Sequence, residues 1–109
     1  MNSSMRKFEE QQKILREQFA ERARADAARL DELVAELPNA NRLQSLEEMR
    51  HLAHRLSGGA GIFGFGEITE PAGILESSID VDASDAEILN NTKSLTQIIR
   101  DTVQIKATQ

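Results

Sequence analysis

His51 and His54 are the only two histidines in this 109-residue chain. Imidazole is the side chain whose ordinary pKa, about 6.5, leaves a neutral nucleophilic nitrogen near pH 7. One ring nitrogen can attack while the other keeps its proton and is held by a hydrogen bond. Such a ring suits phosphoryl relay, because phosphoryl transfer needs mainly alignment and charge neutralisation, which a second protein can supply. The residues around His54 fit that use. Gly58 lies one helical turn after it and Gly61 two turns after it. Missing side chains there leave a shallow floor on which a visiting active site can settle. Arg50 lies on the same face, one turn before His54. His51, one turn earlier on nearly the same face, offers a second acceptor or a phosphate contact. The plain alternative for His54 is an ordinary surface histidine, and the glycine offsets are what argue against it. Glu47, His51 and His54 also stand at helical spacing for a metal, but three ligands with no Cys and no further carboxylate make a weak site. No general acid–base pair or nucleophile triad is recognisable, so an independent enzyme is not expected.

These residues need a helix to position them. Leu46, Met49, Ala53, Leu56, Ala60 and Phe63 follow in steps of three and four, one face of a helix from about Leu43 to Ile62. At 100° per residue His54 falls roughly 130° from the centre of that stripe, toward solvent or the bundle edge. Ser45 and Glu48 read as a capping box at its start. Glycine inside a helix costs roughly 1 kcal/mol relative to alanine, so Gly58, Gly59 and Gly61 call for an offsetting use. On the buried side, Gly59 and Ala60 would let a neighbouring helix pack close. The milder alternative is that these glycines simply end the helix. Gly59 to Gly64 also matches G-x-G-x-x-G, but a dinucleotide site needs a strand before that loop, and here a helix precedes it.

Three further helices are expected. The first runs from about Ser4 to Leu37, with Met5, Phe8, Leu15, Phe19, Ala23, Leu30, Leu33, Val34 and Leu37 on one stripe, and Pro38 stops it. Its charged half before Asp26 reads equally as a separate short helix, an extension beyond the bundle or a contact surface. Ile68, Ala72, Leu75 and Ile79 form a third stripe, with Thr69 as a cap before Pro71 in the first turn. Ser84 and Glu87 make a second capping box. Ile88, Leu95, Ile98, Thr102 and Ile105 make the last helix. Asp80 to Ser84 resembles the start of a calcium loop, but Asp85 and Asn91 occupy the positions that need Gly and Glu. The fold expected is all-α: an antiparallel four-helix bundle over residues 26–109, with residues 1–25 as an N-terminal helical extension or first helix of a single domain.

Composition bounds the rest. With four Phe and no Trp or Tyr, the core must be aliphatic. The absence of Cys excludes disulfides and thiol chemistry. A net charge of -5 with mixed signs and no basic stripe argues against nucleic acid. No apolar run approaches the roughly 20 residues of a membrane span, and the first residues lack the apolar stretch of a signal peptide. A cytoplasmic protein is expected, and a monomer rather than an oligomer.

The stretch Ala53-His54-Arg55-Leu56-Ser57-Gly58-Gly59-Ala60-Gly61-Ile62-Phe63-Gly64 resembles the histidine phosphotransfer (HPt) domain family. That family places Ala before its His, then Leu at the second following position, Lys at the third, Gly at the fourth and Gly at the tenth. Leu56, Gly58 and Gly64 match these offsets, and Ala72 to Glu76 resembles the family's next helix. The resemblance implies a bacterial phosphocarrier of two-component signalling. His54 would be its phosphorylated residue and Gly58 the cleared surface beside it. Its partners would be histidine kinases and response-regulator receiver domains. It implies no cofactor of the chain's own, with Mg²⁺ held by the receiver. Ser57 departs from the pattern: where the family's lysine would help neutralise phosphate, a hydroxyl can only hydrogen-bond, leaving Arg50 or Arg55 to supply charge. Ser57 also favours the competing function, a non-phosphorylated adaptor that binds or inhibits a kinase or receiver through the same surface. An oligomerisation protein built on the N-terminal segment is the third class.

Overall fold

The computed structural model describes residues 3–107, with side chains described as far as Lys106. Four helices follow one another: α1 (Ser3–Ala35), α2 (Arg42–Gly59), α3 (Thr69–Asp80) and α4 (Asp85–Ala107), with a 3₁₀ turn at Gly66–Ile68 leading into α3. Each helix packs on its neighbours in the order α1, α2, α3, α4 and back to α1. This closes the antiparallel four-helix bundle expected from the periodicity. Among the described residues there is no strand.

The core is aliphatic, as the composition requires. Leu30, Met49, Leu56, Ile68, Leu75, Ile88, Leu95, Ile99 and Val103 are its large fully buried members. In α2 the expected stripe holds. Met49, Ala53, Leu56 and Ala60 are buried, and Leu46 and Phe63 are half-buried against them. In α4 the stripe lies differently from expectation. Ile88 and Leu95 are buried as read, but Thr92, Thr96, Ile99 and Val103 complete the face, Ile98 and Thr102 are half-buried, and Ile105 is exposed. The two threonines can be buried because each hydroxyl donates to a backbone carbonyl of its own helix, Thr92 to Ile88 at 2.7 Å and Thr96 to Lys93 at 3.2 Å.

α1 is one continuous helix of 33 residues. Every described residue before Phe19 is exposed, Met5, Phe8 and Leu15 among them, so this half of the expected stripe overhangs the bundle. Burial begins at Phe19 and Ala20. Phe19 stacks on Phe63 and Phe65 with ring centroids 5.5 and 5.3 Å away. It also lies 3.6 Å from where a Cβ on Gly59 would sit, so the close helix approach expected at Gly59 occurs against α1.

Two of the expected caps are absent for physical reasons. α2 starts at Arg42, three residues before Ser45, which is buried inside the helix. Glu48 is taken by the Arg29 guanidinium of α1, at 2.6 and 2.9 Å. Thr69 is helical and continues the preceding 3₁₀ turn, its amide donating to the Gly66 carbonyl. Ser84 does cap α4, its hydroxyl accepting from the Glu87 amide at 3.2 Å.

Candidate functional site

α2 ends as a helix at Gly59, not near Ile62, but the chain does not fray there. The amides of Ile62, Phe63 and Gly64 donate three residues back, and the Phe65 amide donates to the Ala60 carbonyl at 2.8 Å. With Gly64 at φ +85°, this is a Schellman closure, in which a left-handed residue lets the last carbonyls find donors. Lys106 fastens the turn from α4. Its ammonium donates to the Gly64 carbonyl, pairs with Glu67 at 2.9 Å and lies 5.5 Å above the Phe65 ring. The glycines therefore end α2 and also hold the helix carrying His54 against the bundle.

His54 stands on the outer side of α2 facing α3, with its side chain 75% exposed. Its Nδ1 lies 2.8 Å from Oε2 of Glu76, a half-buried residue of α3 whose side chain is 21% exposed. A carboxylate accepts and does not donate, so the proton is assigned to Nδ1. Nε2 has no hydrogen bond among the described residues. When the ring is neutral, Nε2 carries the available lone pair.

The other sequence-derived residues divide by the side of α2 they occupy. Gly58 is exposed one turn on, and a Cβ there would meet nothing within 4 Å. Gly61 is exposed in the turn after the helix. His51 is exposed one turn before His54. Arg50 lies on the α3 side, pairing with Glu47 at 3.0 Å and standing 3.9 Å from Asp80. These carboxylates, with Glu76 beyond them, push the Arg50 guanidinium pKa above its ordinary value. Ser57 also faces α3, but its hydroxyl donates to the Thr69 carbonyl at 3.3 Å.

Arg55 is drawn to the opposite side. Its guanidinium donates to both oxygens of Asp26 on α1, at 3.1 and 3.4 Å. Asp26 is only 6% exposed, and burial raises its carboxyl pKa despite the opposing pull of Arg55. The structure thus gathers Arg50, His51, His54 and Gly58 on one face and separates Arg55 from them.

Two residues of this face escaped the sequence reading. Glu76 is 22 positions from His54, and only the packing register of α3 on α2 brings it to the ring. Gly73, half-buried one turn before Glu76, sits where a Cβ would lie 3.6 Å from the Ser57 hydroxyl, extending the low floor across both helices. The spacing of Gly73 and Glu76 on one α3 stripe was the available signal. For a metal, no group of three or more His, Cys, Asp or Glu among the described residues is suitably placed. Glu47, of the triad considered above, is instead engaged by Arg50.

Comparison with known families gives a match over most of the chain. The family model described as "Hpt domain" matches residues 14–105. Neither the comparison with curated proteins nor that with solved structures returned a significant match. A four-helix bundle with an exposed histidine above a glycine floor and a family match across nearly the whole chain lead to one conclusion: this chain belongs to the Hpt domain family, whose business is histidine phosphotransfer in two-component signalling.

Proposed function

We propose that this chain is a phosphocarrier that relays a phosphoryl group between a histidine kinase or its receiver domain and a response regulator, and that His54 is the residue phosphorylated. One observation carries the reading: an exposed imidazole with Nδ1 held by Glu76, which leaves Nε2 as the nucleophile. From an aspartyl phosphate the step balances simply. The Nε2 lone pair forms the N–P bond, the acyl P–O bond breaks, and the aspartate leaves as a carboxylate. The Nδ1 proton stays on the ring, and Glu76 offsets the positive charge that grows there. Return to a second aspartate is the reverse.

Catalysis comes from the partner, whose Mg²⁺ and carboxylates align the transfer; the chain brings no cofactor of its own. His51, Gly58, Gly61, Arg50, Ser57 and Arg55 are proposed as phosphate or partner contacts, with Arg55 and Ser57 reaching that role only by giving up their present bonds. Residues 1–25 are proposed as the start of the first helix of a single domain, since Phe19, Ala20 and Ala23 already pack in the bundle, and the working state as a cytoplasmic monomer. No helix among the described residues is long and apolar enough to cross a membrane.

The adaptor reading is favoured by one feature, the engagement of Arg50, Arg55 and Ser57 with other groups of this chain. Incubation with a phosphorylated receiver domain separates the two. The carrier gains an acid-labile, alkali-resistant label that is lost in His54→Ala and kept in His51→Ala. Binding without label in any variant would establish the adaptor, and label lost only in His51→Ala would move the site.

A further inference from the structure

Resting on the phosphocarrier reading, the charges around His54 say something about what must dock there. A phosphoryl group carries nearly two negative charges near neutral pH. On His54 it would stand beside the Glu76 carboxylate, with Glu47 and Asp80 gathered round Arg50 on the same face. The chain offers it little in return. The lysine of the family pattern is Ser57, whose hydroxyl is spent on the Thr69 carbonyl. Arg55 is held by buried Asp26 on the other side of α2. Arg50 is a single guanidinium among three carboxylates. The floor at Gly58, by contrast, is open to close approach.

We propose that the receiver domain docking over His54 meets this face with a cationic surface, its lysines or arginines pairing with Glu47 and Asp80 and neutralising the phosphoryl group that this chain leaves uncompensated. Delegating the cation has two consequences. Encounter is steered electrostatically, so transfer slows as salt rises. The choice of partner is made by charge: a receiver with an acidic rim is repelled, and the phosphoryl group on His54 waits for a basic one.

The test uses the full chain and receiver domains of the source organism, each purified, phosphorylated in Mg²⁺ and screened for the rate of label transfer to His54. The fastest receiver is then used in a salt series from about 0.03 to 0.3 M, across which the screening length shrinks roughly threefold. The expected result is a transfer rate that falls about tenfold across the series. In the double variant Glu47→Gln with Asp80→Asn, the low-salt rate drops toward the high-salt one and the slope flattens, while circular dichroism confirms the fold. Label that reaches His54 at a rate independent of salt, or unchanged in the double variant, overturns the cationic partner and leaves the carrier reading intact. No label with any receiver at any salt overturns both.

Discussion

An imidazole has two nitrogens with different tasks, and a carboxylate 2.8 Å from Nδ1 of His54 assigns them. Glu76 holds the ring in one tautomer and orientation, and in the proposed transfer its charge supports the positive charge that develops on attack. Glu76→Gln keeps an acceptor oxygen but removes that charge. A hydrogen bond to a charged group exceeds a neutral one by about 1 kcal/mol or somewhat more. Phosphorylation of His54 should therefore slow by roughly five- to tenfold with the fold intact, as measured by the rate of label uptake. An unchanged rate would leave Glu76 with no part in the chemistry. At this scale the sequence was half informative. The exposed place of His54 was legible because the apolar stripe that turns it outward lies on its own helix. Glu76 was not, because its place at the ring depends on how α3 is set against α2. The bonds of Ser57 and Arg55 were hidden for the same reason: each partner lies on another helix.

Gly58 in α2 and Gly64 in the turn after it separate docking from folding. Gly58 meets nothing with an added Cβ, and Gly64 has a left-handed backbone that costs other residues about 1–2 kcal/mol. Gly58→Leu should fold as well as the parent, or slightly better, and lose transfer because the floor is raised. Gly64→Ala should lose about 1–2 kcal/mol in urea unfolding, while the exposed His54 itself is untouched. Exchange of these two outcomes would contradict the assignment.

The α1–α2 contact carries a pH signature. Burial raises the Asp26 pKa above its unfolded value, so the native state holds that proton more tightly. Stability contributed at this site falls as pH rises from about 4 through the raised native value. Urea unfolding of the parent relative to Asp26→Asn should show that decline over this window and level off above it. Glu48, paired with Arg29, runs the other way: its lowered pKa gives stability present above the usual carboxylate value and lost as pH falls below it. Helix existence and order were legible from apolar spacing. The starts of α2 and α3 were legible to within a residue or so, but their caps were not, because Ser45 and Thr69 have capping side chains yet are held inside helices by tertiary packing and by the 3₁₀ turn. The α4 face was misread because Ile98 and Ile99 stand side by side and choosing Ile98 shifts the later stripe to Thr102 and Ile105, whereas Ile99 and Val103 are buried and Thr92 joins them once its hydroxyl donates to the Ile88 carbonyl.

The whole molecule is a rod, 57 Å by 22 Å by 19 Å, and α1 accounts for its length. A 33-residue helix extends about 50 Å, longer than the bundle packed against its second half. Phe8, 60% exposed, lies on the overhang, and the first half-buried aromatic is Phe19 in the stack that closes the bundle end. Removing residues 1–15 should therefore leave the melting temperature within a few degrees of the parent. A loss larger than about 10 °C would show that the overhang supports the fold. The sequence could show the apolar stripe of α1 but not where the bundle stops beneath it, since that level is set by the turn after α2 and by Lys106 reaching across from α4.

The central claim is that Nε2 of His54 takes the phosphoryl group. Phosphorus NMR of the labelled full chain, with long-range nitrogen–proton correlation in the imidazole region, reads the acceptor atom directly. The account predicts one phosphoramidate, on Nε2 of His54, with the proton retained on Nδ1. A phosphoryl group on His51, or on Nδ1 of His54, would contradict it.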